Sequence, residues 1–465
     1  LPELLQKHTR MEVLHVKNNV KIKPHLVYVI PPDRDLILKS GKLRLTRSHQ
    51  SPGPRAPINH FFRSLAEQQA EMAIGIILSG MGSDGTIGIQ CIKEELGMVM
   101  VQEPTSAKYD GMPQSVIQTG LADFVLPPGE MPGHLIKYVD RMLKGGPIPA
   151  EKMSSAALKK IHAILRTRTG HDFSYYKNST VLRRIGRRIN VHGIENPEAY
   201  VRFLQKDPQE ATALIKEMLI GVTRFFRDPE AFESLKKCAL PQLLENKPEG
   251  YTLRAWVAGC ATGEEAYTLS IVLKEYIDEH RLDMNIQIFA TDLDEDAIHR
   301  ARAGLYTGDI STDVNPKRLK RFFKEENNGY RVRSWIRETI VFAEQSVIKD
   351  PPFTKLDLIC CRNLLIYLDS ELQKRLLPLF HHSLNPAGIL FLGASETIGG
   401  FTNLFSLLDN KWKIYQRKAG NHSQLQPIDF PIPLPKPTYQ NLPMGKPANI
   451  SRLAERTLLD DHTPP

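Results

Sequence analysis

Five short apolar runs, at 253–257, 286–290, 340–342, 356–360 and 388–392, constrain this chain more than any other feature. A strand that is apolar on both faces belongs inside a parallel sheet covered by helices, and helical signals fill most of the gaps between these runs. The alternation predicts a doubly wound α/β sheet, the kind that binds ligands at the carboxyl ends of its strands. A smaller alternation precedes it, with strands expected at 27–30, 36–38, 43–45, 73–78, 99–101 and 122–126 and helices at 58–70, 86–96 and 131–144. Residues 73–101 read as a strand–helix–strand unit. Between the two lie residues 155–220, which have helical periodicity and no strand signal. Gly145-Gly146-Pro147 and the prolines of 420–448 punctuate the chain, and 451–461 could start one more helix. At 465 residues the chain is too long for one hydrophobic core. The expected division is 1–144, a linker 145–155, a helical segment 156–228, a sheet domain 229–419, and a proline-rich linker with the start of a further segment at 420–465.

Charge narrows the partners. The net charge is +9, of which residues 1–150 carry +3, residues 151–228 carry +7 and the remainder −1. A local basic excess points to nucleic acid, a membrane surface or an acidic protein. Within it, Leu182, Ile185 and Ile189 share one arc of a helix, and Arg183, Arg184, Arg187 and Arg188 share the opposite arc. Four arginines without an interleaved acid repel one another, so the face reads either as solvated or as a dock for an acidic partner, and docking is the expectation. No apolar run reaches the ~18 residues a spanning helix needs, so membrane insertion is not expected. Five cysteines without paired zinc-ligand spacing fit a reducing compartment and no metal site. The first residues lack the pattern of a signal peptide, so a cytoplasmic location is expected; the chain opens without Met, as a fragment or processed product would.

A candidate ligand site follows the first long strand. Strand 253–257 runs into Gly259-Cys260-Ala261-Thr262-Gly263-Glu264-Glu265, which opens a helix. Gly259 and Gly263 would let a ligand approach the backbone closely. The next strand ends in Thr291-Asp292, and an acid there suits a ribose diol. The dinucleotide fingerprint G-x-G-x-x-G is missing, and two glutamates at the helix start would repel a pyrophosphate. They suit a positively charged ligand. S-adenosylmethionine offers a ribose, a sulfonium and an ammonium, and no phosphate. The competing reading is a structural turn with a surface Asp. Asn363 follows strand 356–360, at another carboxyl end, and Arg227 could pair with the carboxylate of a methionyl group. Phe225 and Phe226 read as core.

At these residues the sequence resembles a family. Residues 156–419 are similar to CheR, the chemotaxis receptor methyltransferase. The shared motifs are Tyr176-Lys177-x-x-Thr180-x-x-Arg183-Arg184-Ile185-x-Arg187-Arg188, Val222-Thr223-x-Phe225-Phe226-Arg227-Asp228, Gly259-Cys260-x-Thr262-Gly263-Glu264-Glu265, Ala290-Thr291-Asp292 and Cys361-Arg362-Asn363-x-Leu365-Ile366-Tyr367. The resemblance implies a three-layer Rossmann-like methyltransferase domain with a small all-helical N-terminal subdomain. It implies S-adenosylmethionine as donor, S-adenosylhomocysteine as product and glutamate side chains of chemoreceptors as acceptors. It places Thr223, Arg227, Gly259, Glu265, Asp292, Ser346, Val347, Asn363 and Leu364 around the cofactor. Arg227 and Tyr367 fall at the methyl group, and Arg183, Arg184, Arg187 and Arg188 face an acidic helical bundle of the receptor. Gly221 and Ser346 stand where many members carry Asn, so weaker cofactor binding is expected, and Ala387 interrupts a usual Pro-Gly-Gly. A glutamate is ionised near neutral pH and a sulfonium is already activated, so the rate should come from positioning and exclusion of water rather than from a base.

Residues 1–130 resemble the later two thirds of the CheB methylesterase domain, in Ser79-Gly80-Met81-Gly82-x-Asp84-Gly85, Glu103-Pro104-Thr105-Ser106-Ala107 and Gly111-Met112-Pro113. This implies a partial α/β doubly wound methylesterase-like domain, with Asp84 as the acid of a catalytic triad and the Met81 N–H as an oxyanion donor. From the residues alone Asp84 reads equally well as the cap of helix 86–96. The family's serine and histidine align ahead of Leu1, and no G-x-S-x-G is present, so no esterase activity is expected from this chain. Two readings fit this: a piece of a longer fusion, truncated at both ends, or a natural protein that has lost the front of that domain. Two other functions compete with receptor methylation. One is a non-catalytic module that senses S-adenosylmethionine or docks on a receptor; the other is a nucleic-acid methyltransferase, which the absence of aromatics among the basic residues disfavours.

Overall fold

The computed structural model describes residues 1–47, 56–145, 153–326 and 329–419. The linker expected at 145–155 lies largely outside the described residues, and the segment 420–465 lies wholly outside them.

All five apolar runs become strands of one seven-stranded sheet. Across it the order is Ile340–Glu344, Met284–Asp292, Tyr251–Ala258, Leu356–Cys361, Leu384–Leu392, Ile414–Arg417 and Phe405–Asp409. The first five run parallel. The last two form an antiparallel hairpin that closes one edge, and the sequence reading missed it. Chain order reverses between Tyr251–Ala258 and Leu356–Cys361, so the crevice opens at their carboxyl ends. Every residue of Leu356–Cys361 is buried, as a two-faced apolar run requires.

Alternate residues feed two cores. Ala255, Val257 and Leu358 pack with Leu269 and Leu273 of helix Glu264–His280. Trp256 and Ile359 pack on the other face with Leu376 and Phe380 of helix Ser370–Ser383, and with Ile185 and Ile189 from the helical segment. That is the three-layer arrangement. A small sheet of Leu305–Thr307, Gly329–Val332 and Phe323–Glu326 was not foreseen, because its strands are short and partly charged.

The helical segment holds Ser155–Thr169, Asn178–His192, Pro197–Lys206 and Pro208–Met218. Side chains cap three of the four: Ser154 accepts from the Ala157 N–H, Asn196 from Ala199 and Asp207 from Gln209. Ahead of it, Ile74–Ile77, Met98–Gln102 and Phe124–Leu126 form a parallel three-stranded sheet. Arg34–Lys39 and Lys42–Arg47 form a hairpin, and Glu12–His15 pairs in parallel with Leu26–Val29. The described residues all fall in one contact unit. Met98, Met100 and Tyr138 share a core with Val191 of the arginine helix. No described helix is long and apolar enough to cross a membrane.

The arginine helix departs most from expectation. Arg183 is exposed, but Arg184, Arg187 and Arg188 are only 4%, 4% and 6% exposed. Arg184 bonds the Glu217 backbone carbonyl, and the acidic partners of Arg187 and Arg188 lie within this chain. The Arg187 guanidinium bonds Asp123 and Glu217, and its Nε donates to the Leu96 carbonyl at 3.0 Å. Arg188 bonds Glu210, Glu217 and Asp123. Lys93 joins them, 2.8 Å from Asp123 and 3.0 Å from Glu217. Three cations thus meet three carboxylates in a buried, charge-balanced cluster. It draws Lys93 and Asp123 from the first segment and the other four from the helical one. Helical periodicity had placed these arginines on one arc correctly. What covers the arc is another part of the protein, so Arg184, Arg187 and Arg188 are not a free docking surface.

Candidate active site

The glycine turn is shaped as its residues require. Gly259 has φ +75° and lies against Leu364, which a Cβ would meet at 3.3 Å. Gly263 has φ +96°, and a Cβ there would strike the Ala301 Cβ at 2.8 Å. The N–H groups of Gly259 and Cys260 both donate to the Thr291 carbonyl, which ties the turn to the end of the next strand. Asp292 Oδ2 accepts from the Ala261 N–H at 2.8 Å and Oδ1 from Asp294 at 3.0 Å. Burial pushes the Asp292 acid up against these stabilising donors.

Across the crevice, Asn363 adopts φ +58°, a left-handed conformation that Asn tolerates. Glu396, which the sequence reading did not single out, holds it there. Its Oε2 accepts from the N–H of Asn363 and of Gly393, at 3.0 and 2.7 Å, and its Oε1 from that of Ile366 at 3.2 Å. The Asn363 Oδ1 is left buried without a hydrogen-bond partner. Gly259, Asp292, Val347, Asn363, Leu364 and Tyr367 line one cleft, and Gly221 borders it beside Ala261. An acid at the strand end, a close-approach glycine and an orphaned amide oxygen fit a ligand with a diol and N–H donors, and S-adenosylmethionine is such a ligand.

Other expected residues stand elsewhere. Glu265 receives Arg362 Nη1 at 2.9 Å and the Cys360 thiol at 3.2 Å, and Glu264 receives the Thr262 hydroxyl at 2.7 Å. Neither glutamate borders the cleft. Their charge is therefore not aimed at a ligand sulfonium in the way the sequence suggested. Arg362 is the residue that the sequence reading undervalued. Its guanidinium also bonds Asp228 at 2.8 Å and the Arg227 carbonyl at 3.2 Å, beside the rings of Phe232 and Phe391. One side chain thus pins three motif segments together; their shared convergence on one site was the available signal. The Ser346 hydroxyl accepts from the N–H groups of Ile348 and Lys349, capping its own turn. Thr223 and Arg227 line a neighbouring cavity instead, with Val222 and Glu94.

Glu264 gives a pH prediction. Burial raises its pKa to about 7, in spite of the Thr262 hydrogen bond. The folded value lies above the unfolded one, so the folded state binds the extra proton. The stability from this group is complete below about pH 4.3 and is lost as the pH rises to about 7. Glu264→Gln should gain stability relative to the parent as the pH rises across that window. Denaturant melts at pH 5 and pH 8 check this, and an equal difference at both would refute it.

Asp84 is braced by backbone. Its carboxylate accepts from the N–H groups of Ile58 and Asn59, both at 3.0 Å, and of Gly85 at 2.8 Å. It therefore caps the start of helix Pro57–Gln69, not the helix 86–96 expected from sequence. Met81 is exposed.

Comparison with known proteins gives these sites a context. The model of the CheR methyltransferase SAM-binding domain matches residues 221–414, that of the CheR all-alpha domain matches 156–219, and that of CheB methylesterase matches 1–135. Sheet, crevice and domain matches together define an α/β methyltransferase that carries an S-adenosylmethionine-binding domain. A chemotaxis protein methyltransferase of Borreliella burgdorferi is 31% identical over 55% of this chain and 93% of its own length. The chain belongs to the CheR chemotaxis methyltransferase family, with a CheB methylesterase domain ahead of the CheR part. An uncharacterized 104.1 kDa protein of Rhodobacter capsulatus is 36% identical over 90% of this chain, which spans 46% of that protein's length. The structure of the Thermotoga maritima CheB methylesterase catalytic domain is 32% identical, covering 29% of this chain and 74% of its own, at a TM-score of 0.27.

Proposed function

We propose that the chain binds S-adenosylmethionine in the cleft between Asp292 and Asn363 and methylates glutamate side chains of a chemoreceptor-type signalling protein in the cytoplasm. The observation that carries this reading is the cleft itself, where Asp292, the unpartnered Asn363 Oδ1 and Tyr367 converge at the switch point of the sheet. Asp292 would take the ribose diol, Asn363 Oδ1 an N–H donor, and Val347 and Leu364 the apolar ring faces. The cofactor supplies an activated methyl group. The protein's own part is to orient donor and acceptor and to exclude water, so no general base is needed. We assign the methyltransferase to 229–419, the helical subdomain to 156–228 and the methylesterase-like domain to 1–144, joined by 145–155.

Two further readings lose support. A nucleic-acid methyltransferase would need the basic helix to be accessible, yet three of its four arginines are buried, Arg187 and Arg188 against carboxylates and Arg184 against the Glu217 backbone carbonyl. Esterase activity would need a nucleophile besides Asp84, and no G-x-S-x-G is present in this sequence to supply one. An acidic helical bundle remains the proposed receptor surface, with Arg183 the one exposed arginine of the original four. Calorimetry with S-adenosylmethionine and S-adenosylhomocysteine, then methyl transfer to a panel of receptor cytoplasmic fragments, tests the proposal. Binding and transfer to at least one fragment is the expected result. Binding without transfer would favour a sensing module, and transfer to nucleic acid alone would overturn the reading.

A further inference from the structure

Two cavities meet at Asp292, and the methylesterase-like domain walls one of them. Asp292, Ala261 and Gly221 border both the Asp292–Asn363 cleft and a second cavity beside it, and Gln90, Thr119 and Leu121 line the second. A Cβ at Gly221 would meet the Ala261 Cβ at 3.0 Å and the Leu219 carbonyl at 3.8 Å. Gly221 has no such atom, so no side chain stands at this position to divide the two spaces. Gln90 lies on helix Thr86–Glu94, one turn before Lys93, whose ammonium is held by Asp123 and Glu217 in the buried ion cluster. A second tie crosses the same junction: Arg300, on the helix Glu295–Ala303 that follows Asp292, donates from Nη2 to the Gln118 carbonyl at 3.1 Å. Thr119 uses its hydroxyl locally, donating to the Val116 carbonyl and accepting from the Leu121 N–H. The Gln90 amide is half-buried and has no hydrogen-bond partner among the described residues. The methylesterase-like domain thus presents a free amide to the space beside Asp292.

A ribose hydroxyl that donates to Asp292 keeps lone pairs that need a donor, and a primary amide offers two N–H donors and an acceptor. We propose that Gln90 is a cofactor-binding residue: the methylesterase-like domain reaches the methyltransferase cleft, and its Gln90 amide bonds the ribose hydroxyls held by Asp292. This rests on the methyltransferase reading above and adds to it a contact from outside the segments that match the methyltransferase domains, which begin at residue 156. It gives the first domain a part in methyl transfer that needs none of an esterase's catalytic groups. It also makes the buried ion cluster a positioning device, since Lys93 sets where Gln90 stands.

The test compares the full chain with its Gln90→Leu variant, which removes the amide and keeps a strong helix former. Calorimetry measures Kd for S-adenosylmethionine, for S-adenosylhomocysteine, and for the 2′-deoxy and 3′-deoxy forms of S-adenosylhomocysteine. Gln90→Leu should raise Kd for the first two ligands by roughly threefold to tenfold, the range for one hydrogen bond between neutral groups. Removing the hydroxyl that Gln90 bonds should cost the parent more than the variant, so at least one deoxy ligand should show a smaller penalty in Gln90→Leu. Near-UV circular dichroism confirms that the variant is folded, and Gln90→Met carries the test if the Leu variant is not. Unchanged affinity in a folded variant overturns the proposal alone. So does weaker affinity with equal deoxy penalties in both proteins, which would make Gln90 a structural residue. A parent that binds neither S-adenosylmethionine nor S-adenosylhomocysteine defeats the methyltransferase reading instead, and the Gln90 contact with it.

Discussion

Arg187→Ala should destabilise the protein by about 3–5 kcal/mol, the usual cost of removing one partner from a buried ion pair. The guanidinium bonds Asp123 and Glu217 and donates to the carbonyls of Leu96 and Gly97. The side chains of Asp123 and Glu217 are 0% and 3% exposed, so water cannot replace the lost cation. Burial alone would raise the Asp123 acid, yet Arg187, Lys93 and Arg188 outweigh it and hold the group below the ordinary carboxylate range. Without Arg187, three carboxylates would share two cations. Arg187→Lys should recover only part of the loss, because an ammonium cannot make the guanidinium fork. The shift in denaturant midpoint measures the effect. A loss below ~1 kcal/mol, typical of surface pairs, would mean that solvent reaches the cluster. The cluster joins the methylesterase-like domain to the helical subdomain, so the same variant should also expose sites near Lys93 and Asp123 to limited proteolysis.

Asp292→Ala should weaken S-adenosylmethionine binding by about 1.5–3 kcal/mol, the range for a hydrogen bond to a charged group. At 1.4 kcal/mol per decade this is roughly 10- to 150-fold in Kd. Two effects contribute. The ribose would lose its acceptor, and the Ala261 and Asp294 N–H groups would lose the carboxylate that shapes the turn. Asp292→Asn separates them, since it keeps one acceptor oxygen and removes the charge; it should fall between parent and Ala variant. Calorimetric titration gives the answer directly, and unchanged affinity would place the ribose elsewhere. Glu396→Ala provides an independent arm from the other side of the cleft. It should weaken binding through the Asn363 turn without touching the ligand.

Much of the sheet domain was legible because its signals are local. A two-faced apolar run says strand, a glycine turn between strand and helix says crevice, and an acid at the next strand's end says that a carboxylate stands at its edge. Each depends on residues a few positions apart, and the structure assembles Gly259, Asp292, Val347, Asn363 and Leu364 around one cleft. The closing hairpin was missed because Phe405–Asp409 and Ile414–Arg417 mix apolar and charged residues on an edge. Glu264 and Glu265 were read as facing a ligand because their position says helix start. It does not say that Arg362, 97 residues beyond Glu265, will claim one of them.

The sequence by itself determined the five parallel strands of the large sheet, which face of the arginine helix is basic and where the sheet opens, since period and turn chemistry are short-range properties. Only the tertiary structure decided what the basic face meets. Arg188 finds Glu210 across 22 residues and Asp123 across 65. A helix pattern records that a face is charged. The counter-charge is set by how separately folded parts pack, because a buried cation must find an anion and no local rule says from which segment it comes.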